Sequence, residues 1–116
     1  MGAADGAFEA TCERRDAVAV VVARGEVDLG SADRLRAALL APDAQAPNVI
    51  LDLRRVSFID SSGLSVVVGA HQRARSEGFR FAIAVGGAPE VRRLFELAAL
   101  DRTLTLIDDP EGFPAP

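Results

Sequence analysis

Apolar and polar positions alternate from Phe8 to Glu13 in the manner of a short strand. Arg14, Arg15 and Asp16 interrupt the alternation and predict a turn into Ala17–Arg24, a β-branched run with the character of a buried strand. Together these two segments predict a hairpin. Gly25–Gly30 reads as a loop, with Ser31 placed to cap a helix over Ala32–Leu40. On that helix Ala32, Leu35, Ala38 and Leu39 share one face, and Asp33, Arg34 and Arg36 lie on the other. Pro42 and Pro47 bracket the connection to a second buried strand, Val49–Leu53, which leads through a short crossing that contains Phe58 and Ile59.

A second helix is expected over Ser62–Glu77, stopped by Gly78. Leu64, Val67, Val68 and His71 fall at i, i+3, i+4 and i+7, which predicts that this face packs on the sheet. Gly69, inside the helix, predicts a close backbone approach. Phe79–Val85 is the next strand, Gly86-Gly87-Ala88 a turn, and Pro89 the first residue of a third helix with Val91, Leu94, Phe95 and Ala98 as its buried stripe. Leu104–Ile107 completes the pattern. Residues 1–7 and the acidic, proline-containing 108–116 are expected to be flexible flanks of one domain, 8–107. The order β-β-α-β-α-β-α-β predicts an α/β fold with a mixed sheet of about five strands. Its functional rim should lie at the carboxyl ends of the strands, where Gly25–Gly30, Ser57–Ser62 and Gly86–Ala88 would meet. Glu26, Asp28 and Asp60 would then crowd the same side as Ser61.

Composition narrows the function. A chain of 116 residues makes one domain, and 49% hydrophobic residues can build a continuous core. The single cysteine, Cys12, excludes an internal disulfide and suits a reducing compartment. The longest apolar run, Ala17–Ala23, is far short of the ~20 residues of a membrane span. No basic-then-apolar leader stands at the start. A cytoplasmic domain without membrane insertion is therefore expected. A formal charge of −4 argues against nucleic acid, which is held by clustered basic residues. All thirteen basic residues are arginines, so chemistry that needs a lysine is excluded.

The segment Asp60-Ser61-Ser62-Gly63 sets a serine where the second helix begins, beside unpaired N–H groups and the positive end of the helix dipole. Two readings stand: a helix cap in Asp60 or Ser61, or a serine presented for modification. Catalysis is not expected. His71 is ten residues along the same helix, ~15 Å at 1.5 Å per residue, beyond reach of the Ser61 hydroxyl. No G-x-S-x-G elbow is present. One histidine and one cysteine in separate segments cannot hold zinc, and the carboxylates lack calcium-loop spacing, so no metal or cofactor is expected. Gly86-Gly87 is too short to wrap phosphates. A phospho-aspartate receiver would need a lysine near its last strand. Glu26 and Asp28, in a glycine-flanked loop, are better suited to local hydrogen bonding than to acid–base work. Arg54 and Arg55 read as a solvated pair at a strand end, with partner contact as the other option.

With Gly25-Glu26-Val27-Asp28, then Ser31-Ala32 and Leu35, then Leu51-Asp52-Leu53 and Val56-Ser57-Phe58-Ile59-Asp60-Ser61-Ser62-Gly63-Leu64, the chain resembles a STAS domain, more narrowly the bacterial anti-sigma factor antagonists. Pro89–Leu100 resembles the family's third-helix segment. The resemblance implies a regulated binding module. Its serine after the aspartate, here Ser61, would be phosphorylated by an anti-sigma factor of the histidine-kinase-like ATPase class. A PP2C-type phosphatase would remove the phosphate. The unmodified form would capture the anti-sigma factor and free a sigma factor. The resemblance also implies Ser62 as a secondary candidate acceptor, with Glu26, Asp28, Asp60 and Gly63 as the acceptor's surroundings. The alternative is a STAS scaffold in a stress-signalling assembly, or the partner subunit of a lipid-transport complex, with no sigma-factor kinase cycle.

Overall fold

The computed structural model describes residues 7–114; of the N-terminal flank 1–7, all but Ala7 lies outside them. Five strands form one sheet in sequence order: β1 (Glu9–Arg15), β2 (Val18–Val27), β3 (Asn48–Ile59), β4 (Arg80–Ala84) and β5 (Leu106–Ile107). β1 and β2 are the antiparallel hairpin, and the remaining pairs are parallel. The expected α/β order and mixed sheet are present. The hairpin turn falls at Asp16–Ala17, with Asp16 at φ 53°, because Arg14 and Arg15 continue the strand pairing with exposed side chains.

Helices α1 (Ala32–Leu40), α2 (Ser61–Glu77) and α3 (Pro89–Leu97) feed one core on one side of the sheet. Leu35 and Leu39 of α1, Val67 of α2 and Phe95 of α3 close over Val21, Leu51, Leu53 and Ile83. Each of these larger side chains contributes ~1.5–3 kcal/mol by leaving water. The other side carries no helix. There Val20, Val22, Ile50 and Ala84 form a smaller cluster, with Val18, Ile107 and Phe113 against it.

Three elements are longer or shorter than the hydrophobic pattern predicts. β2 runs through Gly25, Glu26 and Val27, and β3 continues to Ile59 instead of breaking after Leu53. Each strand satisfies the other's backbone over this extension, which the pattern alone does not reveal. β3 also carries two extra residues. Val22 pairs with Asp52 but Arg24 with Arg55, and Gly25 pairs with Val56 but Glu26 with Phe58. Such bulges reset the alternation. Leu53, Val56 and Ile59 therefore face the core at intervals of three, while the consecutive Arg54 and Arg55 both stay outside. β5 is only two residues long, although Leu104 ahead of it is buried.

The phase of α2 also differs. Its buried stripe is Gly63, Val66, Val67, Ala70 and Ala74, and Leu64, Val68 and His71 are only half-buried. Both stripes have helical spacing, so periodicity could not choose. Contact chose: a Cβ at Gly63 would lie 2.6 Å from both Ile59 Cγ1 and Val27 Cγ1, so the first turn rests directly on the strand ends. Gly69, expected to mark a close approach, has nothing within 4 Å of a Cβ built on it. Ala98, expected in the stripe of α3, follows the helix end and is exposed. After β5, the chain packs back beneath the sheet, with Phe113 half-buried and Asp108 held by Arg92 at 3.0 Å.

The two helical glycines should respond oppositely to alanine. Gly69→Ala should stabilise by about 0.5–1 kcal/mol, since it reduces backbone freedom in open space. Gly63→Ala should cost about 1–3 kcal/mol through overpacking. Urea unfolding of both variants checks this; equal shifts would contradict the phase assigned to α2.

Candidate functional site

The register that pairs Val27 with Ile59 sends Asp28 and Asp60 out of the sheet side by side. The Asp60 backbone N–H donates to Val27 O at 3.1 Å and ties the two strand ends together. Its side chain then turns to α2: Asp60 Oδ1 accepts from the N–H groups of Ser62, at 2.8 Å, and Gly63, at 3.3 Å. Asp60 is thus the N-cap, which resolves the choice between Asp60 and Ser61. The arrangement satisfies two of the four donors that a helix start leaves unpaired.

Ser61 is the first residue of α2 and is exposed. Its carbonyl accepts from Ser65 Oγ at 3.0 Å, but among the described residues its own hydroxyl has no hydrogen-bond partner. Ser62 is half-buried, and Gly63 is buried against Val27 and Ile59, where it sets the pose of the helix. The sequence suggests that the helix end would hold an anion on Ser61, but its Ser62 and Gly63 donors are already engaged by the Asp60 carboxylate.

The Asp28 carboxylate organises its own loop. Oδ1 accepts from Gly30 N at 3.0 Å, and Ser31 Oγ lies 3.2 Å from it. Ser31, expected to cap α1, makes no side-chain cap bond. Buried at 3% exposure, its hydroxyl instead donates to Glu26 O at 2.8 Å and accepts from Asp28 N at 3.0 Å. The Asp28 carbonyl takes over at the helix start, accepting from Ala32 N at 2.8 Å. Glu26 is exposed and stands beside Phe58 in the register. These three carboxylates, Glu26, Asp28 and Asp60, gather at the joined ends of β2 and β3.

Gly86–Ala88 does not join them. β4 ends at Ala84, opposite Asp52, and β3 runs on past it with β2 as its strand partner. What comes alongside the extension is α3, whose Glu90, Val91 and Leu94 line a shallow pocket with Ser57, Phe58 and Ile59. Gly86 is occupied elsewhere: its N–H donates to Asp108 O at 2.8 Å, and a Cβ there would strike the Asp108 backbone. His71 lies far along α2, half-buried, with Nε2 buried and without a hydrogen-bond partner among the described residues. Among the described residues no cluster of His, Cys, Asp and Glu could hold a metal ion, and no helix is long and apolar enough to cross a membrane.

Two residues at the site escaped the sequence reading. Leu29 is 81% exposed and Phe58 48% exposed, each next to a segment that carries an acid of the site. An isolated large apolar residue in a glycine-flanked loop was the available signal for Leu29. Phe58 gave none, because it read as part of a crossing.

The fold and site define a small α/β domain with helices on one side and a projecting strand pair that ends in a capped helix and an unpartnered serine. The chain matches the family model of the STAS domain over residues 9–112. It is 30% identical over 88 residues to the anti-sigma-B factor antagonist of Bacillus subtilis, covering 76% of this chain and 80% of that protein. A crystal structure of an anti-sigma factor antagonist from Mycobacterium paratuberculosis superposes with a TM-score of 0.79 at 27% identity, over 91% of this chain and 90% of that one. The anti-sigma factor antagonist SpoIIAA in its unphosphorylated form gives a TM-score of 0.69 at 25% identity, over 90% of each chain. The chain belongs to the STAS domain family, among its anti-sigma factor antagonists.

The assignment of Asp60 as cap and Ser61 as bystander has a direct consequence for stability. Asp60→Ala should cost about 1 kcal/mol, the usual loss of an N-cap. Ser61→Ala should stay within about 0.5 kcal/mol of wild type. Urea midpoints measure both; a larger loss at Ser61 than at Asp60 would reverse the assignment.

Proposed function

We propose that this chain captures an anti-sigma factor through the strand-end surface around Ser61, so releasing a sigma factor, and that phosphorylation of Ser61 switches the capture off. The observation that carries the reading is the exposed Ser61 hydroxyl, which the fold leaves without a task while Asp60 does the capping. The partner is an anti-sigma factor of the histidine-kinase-like ATPase class, which supplies the phosphate. A PP2C-type phosphatase removes it, and the cycle runs in the cytoplasm. Ser61 is a substrate here and not a catalyst. Half-buried Ser62 is the secondary acceptor.

The electrostatics of the site give the switch its size. A phosphate adds about −1.5 to −2 charges. It arrives beside Asp28 and Asp60, with the Ser62 and Gly63 donors already taken by the cap. The dianion therefore stays on the surface that the partner must cover. A loss of ~3–4 kcal/mol in docking changes affinity a few-hundred-fold. The fold need not rearrange, because the hydroxyl holds nothing in place.

Leu29 and Phe58 suit the apolar part of the docking surface, as exposed side chains flanking the acids. Leu29→Ala and Phe58→Ala should each weaken anti-sigma factor binding about tenfold with little change in stability. Incubation with the kinase and ATP should add one phosphate, mapped to Ser61 by peptide mass and absent in Ser61→Ala. Amide shifts on phosphorylation should stay near the start of α2. Phosphate transfer elsewhere in the chain, or shifts spread over the whole sheet, would contradict the reading.

A further inference from the structure

The helix-free side of the sheet holds a second charged surface. The first β3 bulge leaves Arg54 and Arg55 together on that side, and they line a groove of about 310 Å³ with Arg24 of β2 and Glu13 and Arg15 of β1. Asp52, 2% exposed, lies in its floor and fixes Arg54 by two hydrogen bonds, from Nε to Oδ1 at 3.0 Å and from Nη2 to Oδ2 at 2.9 Å. The sheet thus brings four guanidiniums and two carboxylates to the groove, a surplus of two positive charges in a chain whose formal charge is −4.

The chain's own tail answers that surplus. Past β5, Asp109, Pro110 and Glu111 lie along the same groove, and their two carboxylates cancel the excess. The hydrogen bond to Asp52, with the charges of Asp52, Asp109 and Glu111 adding to it against desolvation, raises the pKa of Arg54. Yet beyond Asp108, which Arg92 and the Gly86 N–H hold, the tail is lightly held. Glu111 Oε2 stands 3.9 Å from Arg15 Nη1, and both side chains are well exposed, a contact of the kind that contributes ~0–1 kcal/mol. Arg55 pairs with no carboxylate among the described residues. The main apolar anchor is Phe113, which is only half-buried.

We infer that this groove is a docking surface for an acidic segment of a partner polypeptide, and that residues 109–114 are a resident occupant which such a segment displaces. The tail shows the chemistry that fits: two carboxylates, Asp109 and Glu111, carried by a bent segment above arginines set by a bulge. The surface is on the sheet side away from the helices and does not depend on the role of Ser61.

The test uses the full chain and a fluorescein-labelled deca-glutamate peptide, followed by anisotropy at low salt, with labelled deca-glutamine as control. Asp109→Asn/Glu111→Gln keeps Phe113 but removes the competing charge, and should bind the peptide about tenfold more tightly than wild type. Arg24→Gln/Arg55→Gln should bind it at least about tenfold more weakly. Deca-glutamine should not bind. Equal affinities for the three proteins would overturn the inference. So would displacement of the peptide by inorganic phosphate where chloride of the same ionic strength has no effect, since that marks a small-anion site.

Discussion

Asp60 joins three parts of the molecule, and the functional end of the fold depends on it. Its N–H binds the last carbonyl of β2, its position continues β3, and its carboxylate closes the first turn of α2. The joint works only because Gly63 lets α2 settle on Val27 and Ile59. One residue earlier or later, the cap and the glycine contact could not both be made. The fixed pose is what puts Ser61 at the first helical position with its hydroxyl free.

The sheet divides the labour. On the helix side lie the large buried side chains that hold the fold, including Leu35, Leu51, Val67 and Phe95. The other side is thinner, with a cluster of four buried apolar residues, an ion pair between Asp52 and Arg54, and a tail laid across it. At the rim, the β2–β3 pair projects past β4, so acids and exposed apolar groups gather there without the crowding of a third strand. Stability resides mainly on one side; the rim is left uncovered, and the opposite side carries the tail.

Much of this was legible in the chain. Apolar runs and helical stripes marked the five strands and three α-helices, because burial on one side imposes period two or period three to four on the residues that meet the core. The Asp-Ser-Ser-Gly run and the acidic loop before it singled out Ser61, Asp60 and Asp28 as candidates. The misses have two physical causes: contacts between segments far apart in the sequence and, at Ser31, a local turn that brings the hydroxyl to a carbonyl five residues back. The β3 bulges, which break alternation after Leu53, made a strand resemble a crossing. Val66 and Ala70 displaced Leu64 and Val68 from the core of α2 because the strand ends below Gly63 fixed its rotation. Ser31 looked like a cap until its hydroxyl turned back to the Glu26 carbonyl. The Asp108 backbone over Gly86 could not be inferred from either segment alone.

The account makes charge at one exposed hydroxyl the determinant of partner binding, with the fold as a fixed support. The most direct measurement is calorimetric titration of the anti-sigma factor with unmodified protein and with the same protein phosphorylated on Ser61, under identical salt. The account predicts that phosphorylation weakens binding a few-hundred-fold, ~3–4 kcal/mol. Equal affinity for the two forms would contradict it.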